Sequence, residues 1–262
     1  MSDLNILTKI PELKYREPAI EVNAEEFRKV IASRRSVRVF TDKKIPEEVI
    51  QNCIDDALLA PNSSNLQTWK FIRVKSEAKK KELAKLCMNQ SAARTASELI
   101  VCAVNLDQWK KVQKLMLEYF LENEKETGEK TPEGALTYYK KIVPLAYEQG
   151  PLGIIGKIKK LVITLRGLKG EVIPRKPTNK ADMRVWAHKS CALACENLML
   201  SMRAHGFDTC PMEGFDDARV EDFLKLGANE EVCMILACGE RAENGVYSER
   251  IRMDKSLFYQ EI

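Results

Sequence analysis

Two short basic stretches, one near each end of the chain, could bind an anion. They contain Arg34, Arg35, Ser36 and Arg38 in the first stretch, and Arg250 and Arg252 in the second. An arginine side chain donates paired, charge-assisted hydrogen bonds to a phosphate and stays charged at any working pH. A fixed arginine also stabilises an aromatic ring that becomes anionic on reduction. These residues fit a phosphate-bearing redox cofactor, although the first stretch alone is also explained as a solvated basic helix end.

Two further stretches, between the basic ones, have the composition of loops that approach a ligand closely. Residues 61–69 read Pro-Asn-Ser-Ser-Asn-Leu-Gln-Thr-Trp, and residues 210–215 read Cys-Pro-Met-Glu-Gly-Phe. Gly214 permits a close approach of the backbone to a ligand. Taken alone, the first stretch is also explained by a helix stop and a turn, and the second by a loop that leads into the next helix.

In this order, the four stretches resemble the FMN-dependent nitroreductase family, in a long variant with a middle insertion. The resemblance runs from about Phe27 to the C-terminus. It implies an α+β sandwich, with a central and mainly antiparallel sheet flanked by helices, in an intertwined homodimer. It also implies an FMN cofactor, NADH or NADPH as electron donor, and a ping-pong transfer of hydride through flavin N5 to an electron-poor acceptor, either a nitroaromatic or a quinone.

The resemblance also assigns roles to residues. The basic stretches would hold the phosphate end, with Arg38 at the pyrimidine edge of the flavin. The polar loop at 61–65 would contact the flavin of the other subunit. The backbone of Glu213 and Gly214 would lie near N5, and no side chain is assigned as a certain catalytic group. The predicted cofactor-binding residues are Arg34, Arg35, Ser36, Arg38, Pro61, Asn62, Ser63, Asn65, Asn89, Pro211, Met212, Glu213, Gly214, Arg250 and Arg252.

Asn89 aligns with a family asparagine that bonds the pyrimidine edge of the flavin. The lysine that often follows a turn later in the family falls here on Ala92. Arg94 is the candidate substitute for that lysine.

Composition and charge describe an ordinary folded protein. Hydrophobic residues make up 45% of the chain and charged residues 31%, with a formal net charge of +4. Such a small charge does not require a nucleic-acid partner, and we expect none. No stretch approaches the roughly 20 apolar residues that span a bilayer, and residues 1–9 break their apolar run too early for a secretory signal. We therefore expect a cytoplasmic protein without membrane contact.

The cysteines indicate a reducing compartment. The chain has eight of them, none at the paired spacing of metal or redox motifs, and most lie in apolar runs. They are therefore predicted to be small buried hydrophobic residues. His188, Cys191 and Cys195 share one predicted helix, but no fourth ligand is spaced to complete a zinc site, so we predict no metal.

Hydrophobic periodicity predicts one α+β domain at 23–262, after an N-terminal arm at 1–22. A family-variable insertion is expected at about 107–181. Asn23 is a predicted N-cap, Gly206 a predicted C-cap, and residues 211–214 a predicted loop. Helices are predicted to begin near Asn23, Pro46, Ser76, Asp107, Asp182 and Ala218, and strands to cover 69–74, 99–104 and 232–237.

A basic amphipathic stretch at about 150–170 has three possible roles. Its lysines alternate with isoleucines and leucines, and it contains no acidic residue. It could be an ordinary packed helix with a solvated polar face, which we favour, a cover over the active site, or a helix on a membrane surface.

Two other functions stay open at the level of sequence. One keeps the flavin and changes the chemistry to ene-reduction, dehalogenation or flavin fragmentation. The other is a non-catalytic flavin store or interaction protein that docks through the basic stretch.

Overall fold

The computed structural model describes residues 16–262. The predicted arm at 1–22 lies mostly outside the described residues, and 16–22 form no helix or strand. Over the described residues the helices are α1 Ala24–Ser33, α2 Glu47–Leu58, α3 Glu77–Leu86, α4 Ser91–Thr95, α5 Gln108–Thr127, α6 Glu133–Thr137, α7 Val143–Tyr147, α8 Ile154–Leu168, α9 Lys180–Ala204 and α10 Asp217–Phe223, and the strands are β1 Trp69–Val74, β2 Glu98–Asn105, β3 Asp208–Met212 and β4 Glu230–Gly239.

The four strands form one antiparallel sheet in the order β1-β2-β4-β3. Alternate residues of a strand face opposite layers, so the two central strands supply both sides of the core. Helices α2 and α9 cover the face that contains Ile100 and Leu236. Helices α3 and α10 cover the opposite face, which contains Val101 and Ile235. The predicted α+β sandwich, an antiparallel sheet between helical layers, is confirmed.

Both predicted helix caps are confirmed. The Asn23 side chain accepts hydrogen bonds from the backbone N–H groups of Glu25 and Glu26 at 3.0 and 3.1 Å. At the end of α9, Gly206 has a φ of +86°, and the N–H of Phe207 bonds back to the Met202 carbonyl at 2.9 Å. This is a Schellman arrangement, which satisfies carbonyls that the helix end would leave unpaired.

The prediction that residues 211–214 form a loop is partly wrong, because Pro211 and Met212 lie in β3. They pair in register with Leu236 and Ile235 of β4. A proline lacks the N–H that a central strand needs, but β3 lies at the edge of the sheet, where that loss is tolerated. Only the second half of the stretch, from Glu213, leaves the sheet.

The predicted insertion at 107–181 has a small core of its own. Residues of α5, α7 and the turn between α6 and α7 pack around Leu66, which is fully buried. The ring of Tyr147 lies 4.3 Å from that of Trp186 in α9. The insertion is thereby attached both to the polar loop and to the long helix. No helix within residues 16–262 has the length and apolar character needed to cross a bilayer.

The basic amphipathic stretch is a helix, α8, as predicted. Its interpretation as an ordinary packed helix is wrong, because its apolar side chains are exposed and Gly156 is its buried residue. Periodicity shows which residues share a face, but it does not show which face packs inward.

His188 and Glu231 should give the stability of the fold a dependence on pH. The His188 Nε2 atom lies 3.4 Å from a Glu231 carboxylate oxygen. The Cys233 sulfur and, to a lesser degree, that carboxylate raise the pKa of His188 against the effect of burial. This contribution to the free energy of unfolding is present below the unfolded pKa of about 6.5 and is lost as pH rises through the higher folded value. The gap in stability between the natural protein and His188→Gln should therefore be larger at about pH 5.5 than at about pH 9, measured by urea unfolding; equal gaps would contradict it.

Candidate functional site

The two basic stretches line one cavity. Its volume is about 220 Å³, and its lining consists of residues 34–36 and 248–252. The chain leaves α1 in an extended conformation at Arg34. Ser36 then forms a bridge with Thr209 of β3, and the Val37 N–H bonds to the Thr209 carbonyl at 3.0 Å. The first basic stretch is thus held against the edge of the sheet.

Direct hydrogen bonds join the two stretches across the cavity. The Arg35 guanidinium donates to the Ser248 carbonyl at 2.5 Å. The Arg250 guanidinium donates to the Arg34 carbonyl. The backbone N–H of Arg38 bonds to the Gly245 carbonyl at 2.7 Å. Segments more than 200 positions apart in the sequence therefore form one local structure.

The cavity is positively charged beyond what its own acidic residues balance. Burial and the neighbouring cations, Arg252 first among them, lower the pKa of Arg250. The Nη1 atom of Arg34 is buried and has no hydrogen-bond partner within residues 16–262. The nearest carboxylate oxygen of Glu196 lies 4.0 Å from the Arg34 Nε atom. Glu249 is the acidic residue among those that line the cavity. A bound anion with several oxygens would satisfy the unpaired donor and relieve the repulsion, so these residues fit a phosphate group.

Arg38 does not line this cavity, but the backbone that carries it is bonded to the Gly245 carbonyl, three residues before Ser248 in the cavity wall. Burial raises the pKa of the Cys210 thiol, and the positive charges of Arg38 and Arg34 act against that shift. Both positive charges therefore act on the environment of Cys210 in β3. The Thr209 hydroxyl beside it is buried and lacks a partner among the described residues.

The structure brings the predicted Asn89 and Gly214 segments together. The side-chain amide of Gln90 donates to the Gly214 carbonyl at 2.6 Å. A Cβ atom at position 214 would lie 3.0 Å from the Met88 Cε atom and 3.1 Å from the Gln90 Nε2 atom, so a larger residue would require these side chains to move. Sequence reasoning missed Gln90. The positive φ of Asn89 turns the chain there, and local patterning gives no signal for it.

The polar loop at 61–65 lies apart from the arginine cavity of the same chain. Ser63 instead lines a second cavity of about 160 Å³ with Tyr147 and Trp186. The Ser63 hydroxyl lies 2.9 Å from the Tyr147 hydroxyl, and the Ser64 hydroxyl lies 2.7 Å from that of Tyr138. The tyrosines of the insertion therefore fix this loop. The sequence analysis did not identify that role.

Arg94, the candidate substitute for the family lysine, is exposed in the last turn of α4. Ala92, where the lysine would fall, is buried. The side chain of residue 92 points into the core. A lysine at this position, as in the family, would therefore not reach the surface of the site in this structure. The role of Arg94 stays a prediction.

Comparisons with known proteins agree with this architecture. Protein DrgA of Synechocystis is 26% identical over 216 residues, which cover 82% of this chain and 83% of the relative. The 4-nitrobenzoate reductase of Pseudomonas putida is also 26% identical, over 89% of this chain and 92% of the relative. A protein of Exiguobacterium sibiricum, solved in complex with FMN, superposes with a TM-score of 0.65 at 22% identity and covers 94% of this chain and 99% of the solved one. At that identity the superposition shows a shared fold.

The family comparison covers most of the chain. The model of the nitroreductase family matches residues 31–240, which include the first basic stretch, the whole sheet and the insertion. Together with the shared fold, this match means that the chain belongs to the nitroreductase family.

Proposed function

We propose that this protein is an FMN-dependent NAD(P)H oxidoreductase that reduces an electron-poor acceptor, either a nitroaromatic or a quinone-like compound. The observation that carries the proposal is the arginine cavity, and above all the buried, unpaired Nη1 atom of Arg34. An unpaired buried donor of this kind is unfavourable unless a ligand completes it. The family of the chain and the FMN held by a protein of the same fold support the choice of cofactor.

In this proposal, residues of the cavity bind the phosphate of FMN. Arg34, Arg35 and Ser36 approach it from one side, and Arg250 and Arg252 from the other. The hydrogen bonds between the two stretches orient these donors before the ligand arrives, which reduces the conformational entropy lost on binding.

The flavin ring would lie against the opposite end of the site. Arg38 would provide positive charge at the pyrimidine edge. Asn89 would form a hydrogen bond to the same edge. The Glu213 and Gly214 backbone approaches the ring, and Gln90 holds the Gly214 carbonyl in place. Bound FMN supplies the chemistry, by accepting hydride from NADH or NADPH and passing it to the acceptor. Water supplies the protons, so no side chain needs to act as a general acid.

We also propose that the protein is a homodimer, with the loop at 61–65 facing the partner's flavin. Helix α1 has no buried residue, and its Phe27 side chain is exposed. The C-terminal segment is apolar and equally uncovered, since Phe258 is 77% exposed. Apolar surface of this extent is typical of an interface with another chain. The tail would cross to the partner.

Replacing Leu257 and Phe258 together by serine should weaken the dimer at least tenfold. Both side chains are exposed in the single chain, so their loss would cost contact area in the dimer and little stability in the protomer. Burial of one such side chain is worth about 1.5 kcal/mol or more, and about 1.4 kcal/mol is a factor of ten. Sedimentation equilibrium measures the dissociation constant. Leu59→Ser, another exposed leucine, is the control, and an unchanged constant in the tail variant would contradict the proposed crossing.

The activity is tested with purified protein and added FMN. Under anaerobic conditions, NADH or NADPH should bleach the flavin absorbance, and a nitroaromatic or a quinone should restore it. Restoration by an activated alkene or an aryl halide alone would favour ene-reduction or dehalogenation. Flavin that binds but is never reduced by either nicotinamide would favour a non-catalytic store. A protein that ignores FMN would overturn the proposal.

The eight cysteines are free thiols, as a reducing compartment requires. Seven of them are buried, as predicted, whereas Cys233, which was also predicted to be buried, is only half-buried. We propose a cytoplasmic location, which is consistent with free thiols.

A further inference from the structure

Helix α8 turns its apolar face away from the rest of the protein. Ile154, Ile158, Leu161 and Leu165 follow helical spacing and share one side. Leu161 is 60% exposed and Leu168, one turn after Leu165, is 80% exposed. Two further apolar residues just beyond the helix ends, Leu152 and Val172, are 92% and 100% exposed.

The packing on the opposite side of α8 fixes this orientation. A Cβ atom on Gly156 would lie 2.3 Å from the Thr178 carbonyl oxygen, and one on Gly167 would lie 2.7 Å from the Arg175 guanidinium. These two glycines face the same way and let the helix approach the neighbouring segment closely. Lys159, on the same side, donates to the Ala146 carbonyl at 2.8 Å. A rotation that buried the leucines would lose these contacts.

Cations flank the exposed apolar face. No aspartate or glutamate lies between Glu148 and Glu171. Lys157 is exposed at one margin of the face and Lys160 further round the helix, and neither has an ion-pair partner within the described part of the chain. Lys169 is exposed at the C-terminal end of the helix. An apolar stripe with unpaired lysines beside it is the pattern of a helix that lies in the interface of an anionic bilayer.

We propose that α8 docks the protein on an anionic lipid surface, with the stripe from Leu152 to Val172 immersed at the headgroup boundary. Charge decides between a lipid surface and a second copy of this chain. A symmetric contact between two α8 helices would bring their lysines together, whereas anionic headgroups would neutralise them. The expectation of no membrane contact rested on the lack of an apolar stretch long enough to span a bilayer, and docking through α8 needs no such stretch.

The proposal is tested by sedimentation of the full chain with phosphatidylcholine vesicles that contain or lack phosphatidylserine. The natural protein should bind the anionic vesicles, with an affinity that falls as salt rises, and bind the neutral ones much more weakly. Leu161→Ser with Leu165→Ser should weaken binding about tenfold for each leucine. Lys157→Gln with Lys160→Gln should weaken it about fivefold for each lysine.

Matched controls separate docking from loss of fold or general charge. Leu59→Ser removes an exposed leucine directly after α2, and Lys79→Gln with Lys81→Gln removes two exposed lysines from α3. Both controls should bind like the natural protein, and circular dichroism should be the same for all variants. The proposal is overturned if the natural protein stays in the supernatant at low salt, or if the α8 variants bind anionic vesicles unchanged. A dimer that the leucine pair dissociates, without vesicle binding, would overturn it in favour of an interface between copies. None of these readouts depends on FMN or on activity.

Discussion

Arg34→Ala should weaken the binding of FMN by about 30-fold or more. Arg34 lines the arginine cavity, and its buried Nη1 atom has no partner among the described residues, so we expect its guanidinium to donate a charge-assisted hydrogen bond to a phosphate oxygen. Loss of such a bond in a partly buried charge pair costs about 2 to 5 kcal/mol. Titration of the free flavin fluorescence with protein measures the dissociation constant.

The control for this prediction is Arg28→Ala, which removes an exposed arginine from α1 and leaves the cavity intact. It should bind FMN as the natural protein does. Arg34→Lys keeps the charge and loses the planar fork, so its affinity for FMN should lie between those of Arg34→Ala and the natural protein. If Arg34→Ala and Arg34→Lys bound FMN as tightly as Arg28→Ala, the arginine cavity would not be the phosphate site.

Asp208→Asn should have the largest effect on stability, about 3 kcal/mol or more. The Asp208 side chain is only 2% exposed, and its oxygens lie 2.8 Å from the Arg203 Nη1 atom and 2.6 Å from the Arg241 Nη2 atom. Removal of the carboxylate charge leaves two partly buried guanidinium groups without a counterion. Urea unfolding of the FMN-free protein measures the loss.

Glu243→Gln removes an exposed carboxylate two residues from Arg241 and is the matched control, with an expected change below about 0.5 kcal/mol. The same ion network reaches the site, because Arg241 also donates to the Ser33 carbonyl at 3.4 Å, directly before Arg34. Asp208→Asn should therefore also weaken FMN binding. Equal unfolding midpoints for Asp208→Asn and Glu243→Gln would contradict this account of the network.

The sequence was informative where local chemistry decides the structure. Asn23 and Gly206 cap their helices as predicted, since a cap depends on a few neighbouring backbone groups. The strand at 69–74 was predicted to the residue because it is rich in β-branched and aromatic residues. The two basic stretches were expected to meet, and they line one cavity.

The sequence was less informative where neighbours from distant segments decide. Pro211 argued against a strand, and only the edge position of β3 permits it. The orientation of α8 depends on the glycine contacts with residues 175–178, which periodicity does not report. Gln90 acts through the Gly214 carbonyl, 124 positions away. Each of these features depends on tertiary contacts, so a pattern within one segment cannot reveal it.

The most direct test of the central claim compares FMN with riboflavin, which has the same ring and lacks the phosphate. The natural protein should bind FMN at least about 100-fold more tightly than riboflavin, because the arginines of both basic stretches act on the phosphate. Arg34→Ala should remove most of that difference while leaving the affinity for riboflavin unchanged. Equal affinities of the natural protein for the two flavins would show that the cavity lined by residues 34–36 and 248–252 does not hold the phosphate.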